Sequence, residues 1–331
     1  MLPIVAIATG DPAGIGPELS LKAALDQRVR ALCRPLLVGD PDVVARQARN
    51  GGIRADIRTI DNLTSMDEGE GVPLLAVPMP DSAAVEFGKN AAASGRASLA
   101  AASRAIQAAM SGEVAAVVAA PQNQTSIKLA GIEFDGYPSF VARETGLDPN
   151  DVYLMLCFGE YKIVHCTLHH SVRQSIKNIT RERVGHVIEV THRTLKRLGA
   201  PEPLIHVAGL NPHAGENGLF GREEIEIIAP AIEDAKKWGL RVAGPFGADT
   251  MFHKQDVDAF IVMLHDQGHI AAKLLAFNRT AGLSIGSPIL FSSVAHGSAH
   301  DIAGKGKADP GAMIEAITRL ARVSDGKAEA G

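Results

Sequence analysis

The pattern that most constrains this chain is an alternation of short, β-branched apolar runs with longer amphipathic stretches. Pro3–Thr9 reads as a buried strand, followed by the turn Gly10-Asp11-Pro12-Ala13-Gly14-Ile15-Gly16 and a helix opening at Pro17. Pro35–Val38 is a second strand, Pro41–Arg49 a helix ended by Gly51-Gly52, Ser94–Met110 a long Ala-rich helix and Val114–Ala119 another buried strand. Strands that alternate with helices in this way predict βαβ units and a mostly parallel sheet. The middle of the chain departs from the rule. Val152–Phe158 and Lys162–Leu168 flank Gly159-Glu160 and predict an antiparallel hairpin. After it come a helix over 181–198, a strand over Leu204–Gly209, a helix over 223–238 and an apolar strand over Ala259–Leu264. A last helix is expected over 311–323, with a frayed tail over Ser324–Gly331.

At 331 residues the chain is long enough for two domains. The expected division is an α/β first domain over 1–130 with 275–331 and an inserted second α/β domain over 131–274. Only 4% of residues are aromatic while 46% are hydrophobic, which suits a core of Ala, Val, Ile and Leu. The net charge of −4, without a basic run, argues against nucleic acid or an anionic membrane as partner. Cys33, Cys157 and Cys166 form no CxxC and read as small core hydrophobes of a protein in a reducing compartment. The N-terminal MLPIVAIATGDP lacks a basic segment and is too short to span a bilayer, so a soluble, cytoplasmic protein is expected.

Three histidines sit just beyond strand ends. His169 follows Lys162–Leu168, His213 lies in Gly209-Leu210-Asn211-Pro212-His213-Ala214-Gly215, and His265 follows Ala259–Leu264. Ligands of open α/β sheets gather beyond the carboxyl ends of strands. Three neutral imidazoles delivered there can hold Zn²⁺ and leave a position open, as in a catalytic site. The alternative is that each caps or hydrogen-bonds its own turn. His165 and His170, beside the candidates, read as supporting residues. Two glycine-bearing loops stand out. In the first, backbone amides around Asp11, Gly14 and Gly16 can meet an anion at the start of a helix, or the glycines can simply serve a tight turn. In the second, His296-Gly297-Ser298-Ala299-His300-Asp301 runs on to Pro310, with small residues that let the backbone approach a flat ligand.

Gly-Asp-Pro-Ala-Gly-Ile-Gly-Pro-Glu (10–18), Gly-Leu-Asn-Pro-His-Ala-Gly-Glu (209–216), Gly-Ala-Asp-Thr (247–250) and His-Asp-Gln-Gly-His (265–269) resemble, in order and over nearly the whole chain, the 4-hydroxythreonine-4-phosphate dehydrogenase family. The 296–310 loop is also similar to that of isocitrate and isopropylmalate dehydrogenases, which share the family's two-domain fold. The resemblance implies His169, His213 and His265 as ligands of Zn²⁺ or another divalent first-row metal. It also implies a nicotinamide cofactor (NAD) and a homodimer whose active site draws metal ligands from both subunits, in a cleft between domains. Lys273 then orients the substrate carboxylate or hydroxyl, Asp249 and Asp266 support the metal or handle protons, and Asp11, Gly14, Gly16, Gly286, His296, Gly297, Ser298 and Asp301 line the cofactor region.

Several positions depart from the phosphate-handling pattern. Tyr137 and Pro138 stand where a His-Thr pair contacts substrate, Phe291 where an arginine suits a phosphate, Gly282 where an asparagine lies and Gln124 where a lysine lies. Exchanging a planar donor fork for a ring removes phosphate recognition. Gly136-Tyr137-Pro138-Ser139, Leu264–Ile270, Lys273-Leu274-Leu275-Ala276 and Leu283-Ser284-Ile285-Gly286 instead look like the terephthalate cis-dihydrodiol dehydrogenase branch. In that branch, oxidation of a hydroxyl β to a ring carboxylate is followed by loss of CO₂ to give protocatechuate. Tyr137, Pro138, Ser139 and Phe291 are the expected substrate contacts. Gln122-Asn123-Gln124 and Pro288 depart from that branch too. Rival readings are a 4-phosphohydroxythreonine or phospho-sugar-acid dehydrogenase, a three-histidine zinc hydrolase, and a non-catalytic binding protein.

Overall fold

A computed structural model describes residues 2–254, 256–276 and 279–325. The expected tail lies, from residue 326 on, outside them. The chain divides into two compact units, Met1–Leu147 with Ser287–Gly331, and Asp148–Gly286. The sequence reading placed the crossings at 130/131 and 274/275. The first falls later because the helix Tyr137–Glu144 buries Tyr137, Phe140 and Val141 in the first unit's core. The second does so because a strand over Ala281–Ile285 pairs inside the second unit.

The first unit holds β1 (Ile4–Ala8), β2 (Arg34–Gly39), β3 (Ile57–Ile60), β4 (Val72–Ala76) and β5 (Ala116–Ala119). A sixth strand, Phe291–Val294, joins β5. The order is β3-β4-β2-β1-β5 and then Phe291–Val294, with every pairing parallel. Parallel strands are covered on both faces, and their sequences read accordingly as unbroken apolar runs. The helix Ala92–Met110 supplies Leu99, Ala101, Ala102, Ala105 and Ala108 to the core, where it meets Leu36, Val38 and Val117. Alanines let this helix lie close, and a Cβ at Gly95 would fall 2.3 Å from Ser126 O.

The second unit holds β6 (Tyr153–Phe158) and β7 (Tyr161–His165), the expected hairpin, with Gly159 at φ +48. It continues with β8 (Ile205–Ala208), β9 (Val242–Phe246), β10 (Ala259–Val262) and β11 (Ala281–Ile285). The order is β11-β6-β7-β10-β8-β9: antiparallel at β11-β6-β7, parallel from β7 through β9. All three cysteines are buried. No helix among the described residues is long and apolar enough to cross a membrane.

Candidate functional site

Because β7, β10, β8 and β9 run parallel, their carboxyl ends form one edge, and each delivers a polar group there. His169 lies beyond β7, His265 beyond β10, His213 beyond β8 and Asp249 beyond β9. The structure brings His169 and His265 together, with ring centroids 5.7 Å apart. His265 opens the helix His265–Ala276, so His269 and Lys273 follow it at intervals of four on the same helix face. His269 stacks on His265 at 3.8 Å with rings 8° apart.

Hydrogen bonding fixes the protonation of this cluster. Carbonyl oxygens only accept, so His165 Nδ1–H points at Leu154 O (3.4 Å). Likewise His269 Nδ1–H serves His265 O (3.2 Å) and His165 Nε2 (3.1 Å). Asp266 accepts from His265 Nδ1 at 2.7 Å and so orients the ring through that nitrogen, the way a carboxylate orients a metal-binding imidazole. Burial, reinforced by the neighbouring His269, lowers His165 to a pKa of about 3. Burial and the neighbouring His265 lower His269 to about 4, so both are neutral at pH 7. A Cβ on Gly268 would fall 2.4 Å from His165 Nε2, and only glycine admits that ring.

His213 is built differently. Its residues 213–217 have φ of 53, 51, 77, 42 and 57°, a left-handed turn in which only Gly215 is free of Cβ strain. Such backbone costs roughly 1–2 kcal/mol per non-glycine residue and persists only where its surroundings impose it. Glu224 lies directly beside it. Its carboxylate, 3% exposed, accepts from the amides of Leu210 and Asn211 (2.7 Å each) and from Asn211 Nδ2 (3.0 Å). Burial works against the charge, but these hydrogen bonds outweigh it and hold the carboxyl below its ordinary value. Gln267 ties the two loops together: Oε1 accepts from Met263 N (2.9 Å) and Leu264 N (3.0 Å), while Nε2 donates to Gly209 O (3.0 Å). Asp249 is exposed, and a Cβ on Gly247 would lie 2.8 Å from its Oδ1 and 3.9 Å from His213 Cα. His213 itself faces Phe220, at 6.2 Å between rings, rather than His169 or His265. Among the described residues no group of three or more His, Cys, Asp or Glu can hold a metal ion. One copy thus assembles two of the three expected ligands and holds the third on a neighbouring strand.

In the first unit the two loops meet. Asp11, buried, accepts from Ala13 N through Oδ1 (3.0 Å) and from His300 Nε2 through Oδ2 (2.7 Å). Asn123 Nδ2 donates to Ser298 Oγ (3.2 Å), and Ile15 N donates to Ser298 O (2.9 Å). The amides of Asp11, Gly14 and Ile15 are engaged by Pro121 O, Asp11 O and Ser298 O. Of the two readings of the first loop, these bonds favour the tight turn: the three amides close the loop on itself and on its partner. The glycines answer to the same contacts. A Cβ would meet Ser298 Cβ at 2.6 Å on Gly14, Thr9 O at 2.3 Å on Gly16, and Asp151 O at 2.2 Å on Gly286, in the second unit. Gly297 faces open space, His296 is partly exposed and Asp301 exposed, so the 296–301 loop keeps accessible groups suited to a flat, polar cofactor. His300 was not singled out in the sequence; its pairing with Asp11 spans 289 residues, and no local pattern signals it.

The expected substrate contacts lie in the first unit's core. Phe291 is 1% exposed and packs on Tyr137 with ring centroids 5.0 Å apart. Tyr137 donates to Ala120 O (3.3 Å), and burial pushes its phenol up. Ser139 is also buried, bonded to Asp135, and Pro138 sits in the first helical turn. In this structure Tyr137 and Phe291 are core side chains, members of one apolar cluster with Phe140, Val141 and Ile289.

The family model described as pyridoxal phosphate biosynthetic protein PdxA matches residues 31–320. A 1,2-dihydroxy-3,5-cyclohexadiene-1,4-dicarboxylate dehydrogenase from Comamonas sp is 41% identical over 318 residues, 96% of each chain. A 4-hydroxythreonine-4-phosphate dehydrogenase from Desulforapulum autotrophicum is 37% identical over 326 residues, 96% of this chain and 95% of the relative. The solved 4-hydroxythreonine-4-phosphate dehydrogenase of Klebsiella pneumoniae superposes with a TM-score of 0.86 at 35% identity, covering 97% of this chain and 99% of that one. A beta-decarboxylating dehydrogenase from Thermococcus kodakarensis, 17% identical with a TM-score of 0.50 over 96% of this chain and 82% of its own, shares the fold.

Proposed function

The chain belongs to the PdxA family and is a dehydrogenase, and from that premise we propose that it uses NAD and a divalent metal to oxidise the hydroxyl β to a carboxylate, which then leaves as CO₂. The substrate is a cyclic cis-dihydrodiol dicarboxylate, and the product of the terephthalate-derived diol is protocatechuate. The observation that carries the reading is the convergence of His169 and His265 on one sheet edge, with His213 on the adjoining strand.

The donor chemistry fits a metal such as Zn²⁺: imidazole nitrogens, one of them on a ring oriented through its Nδ1 by Asp266. When bound, the metal supplies Lewis acidity toward the substrate hydroxyl and NAD accepts the hydride. The chain's residues do the rest. Lys273, two turns beyond His265, offers its ammonium to the substrate carboxylate, and the 296–301 loop receives the cofactor. Oxidation transfers a hydride from carbon to NAD and releases the hydroxyl proton, for which Asp249 and Asp266 are the acceptors at this edge. The resulting β-keto acid loses CO₂ with its electrons passing into the ring ketone.

The active form in this reading is a homodimer in which a second copy contributes a ligand to each site. Exposed apolar side chains around the same edge support this: Ile270, Leu274 and Leu275 on the His265 helix, Val172 and Ile176 beyond β7, and Phe220 beside His213. A phenylalanine rather than an arginine at 291 supports the diol over a phosphate ester, since no guanidinium fork is presented from that position. The test is NADH formation by zinc-loaded protein offered the terephthalate cis-dihydrodiol or 4-phosphohydroxythreonine. Turnover of the diol is expected; turnover of the phosphate ester alone would refute the substrate assignment.

A further inference from the structure

Glu224 is 3% exposed, touches no expected ligand of the site, and yet is bonded to the segment that carries His213. Its backbone setting is unusual as well. It opens the π-helical turn Glu224–Ile228, directly after Gly221-Arg222-Glu223. A widened turn of this kind redirects side chains and tends to occur where function requires it. Here it aims one carboxylate into the concave side of the left-handed turn. Oε1 takes the amides of Leu210 and Asn211, which precede His213. Oε2 takes Asn211 Nδ2 and lies against Gly215, whose Cβ, if present, would be 2.6 Å away. Glu223 Oε2 adds a second bond to Asn211 Nδ2 at 2.7 Å. One buried anion thus bonds the two residues that precede His213 by three and two positions and lies beside Gly215 after it.

We propose that Glu224 is a positioning residue that keeps the 213–217 turn left-handed and thereby presents the His213 imidazole for metal binding. This rests on the reading of His213 as a metal ligand. The physical case is that a left-handed turn of Ala, Glu and Asn relaxes to ordinary backbone once its restraint is removed. Without the carboxylate, the backbone amides of Leu210 and Asn211 lose their acceptor, and Asn211 Nδ2 is left with Glu223 alone. A backbone change at 213–217 then swings the imidazole away while the strand beneath, β8, stays paired with β9 and β10.

The experiment compares full-length wild type, His213→Ala, Glu224→Gln and Asn211→Ala by competition for Zn²⁺ with a chromophoric chelator, together with amide exchange over 209–219. Glu224→Gln keeps volume and one acceptor oxygen; it is expected to weaken zinc binding ~10- to 100-fold and to accelerate exchange at Leu210 and Asn211. Asn211→Ala, which leaves both amide bonds to Oε1, is expected to do less on both counts. Should Glu224→Gln fold poorly, the graded loss in Asn211→Ala carries the test. Wild-type zinc affinity in Glu224→Gln alongside lost affinity in His213→Ala would overturn the positioning role and leave the metal reading intact. Wild-type affinity in His213→Ala would overturn the metal reading, and the proposal with it.

Discussion

His165 and His269 show how a single residue's environment sets chemistry and stability together. Both are held neutral by burial, at pKa values of about 3 and 4, against 6.5 for a free imidazole. For a base whose folded pKa is depressed, protonation favours the unfolded chain. Stability is therefore intact above pH 6.5 and falls as pH drops from 6.5 toward 4. The slope is ~1.4 kcal/mol per pH unit for each imidazole still neutral in the fold. Denaturant titrations of metal-free protein between pH 7 and 4 should show this decline, and His165→Gln should flatten it; an unchanged slope would mean another group is responsible. At this scale the sequence was legible where a histidine lies just beyond a strand end. His169, His213 and His265 could be picked out because each follows an apolar run. Roles that depend on distant partners were not legible. Phe291 reads as a ring suited to a flat ligand, but Tyr137, 154 positions earlier in the chain, packs against it in the core. Asp11 meets His300 only because the fold joins the chain's two ends.

Between residues and whole units stand the loops, and each unit fixes its site loop with a buried glutamate from the following or adjoining helix. In the second unit this is Glu224. In the first it is Glu18, fully buried, which accepts from Ala308 N (2.8 Å) and Gly306 N (3.2 Å) while Lys22 caps Gly306 O and Ala308 O at 2.9 and 2.8 Å. Removing the charge leaves Lys22 without its counter-ion and one amide without an anionic acceptor. Glu18→Gln should cost about 1–3 kcal/mol in urea unfolding and hasten amide exchange at Gly306 and Ala308. Equal stability would show that Lys22 alone holds the loop. The hairpin at Gly159-Glu160, β1, β2, β5, β8 and β10 and the long helices follow patterns readable in the sequence, whereas β4, β11, Phe291–Val294 and the helices Tyr137–Glu144, Val172–Asn178 and His265–Ala276 do not figure in that reading. Nor do β3, with Arg and Thr in four residues, and β9, whose Val-Ala-Gly-Pro-Phe carries two strand breakers. Both gain their structure from a parallel neighbour, which local sequence does not encode.

For the whole molecule, the family and its two-unit α/β fold follow from motifs distributed in order along the chain. The sequence does not say which ligands one copy can assemble by itself, because that depends on how separate strand ends are spaced. The central claim is a histidine-held metal site that no single copy completes. Mixing two inactive variants, His213→Ala and His265→Ala, and following zinc content and NADH formation from the cis-dihydrodiol tests it most directly. If each site takes His213 from one subunit and His265 from the other, half the reassorted dimers carry one intact site. About a quarter of wild-type activity should then return, with zinc restored in the same proportion. Dimers that exchange subunits yet regain neither zinc nor turnover would show that each chain holds its own complete site, contradicting the account.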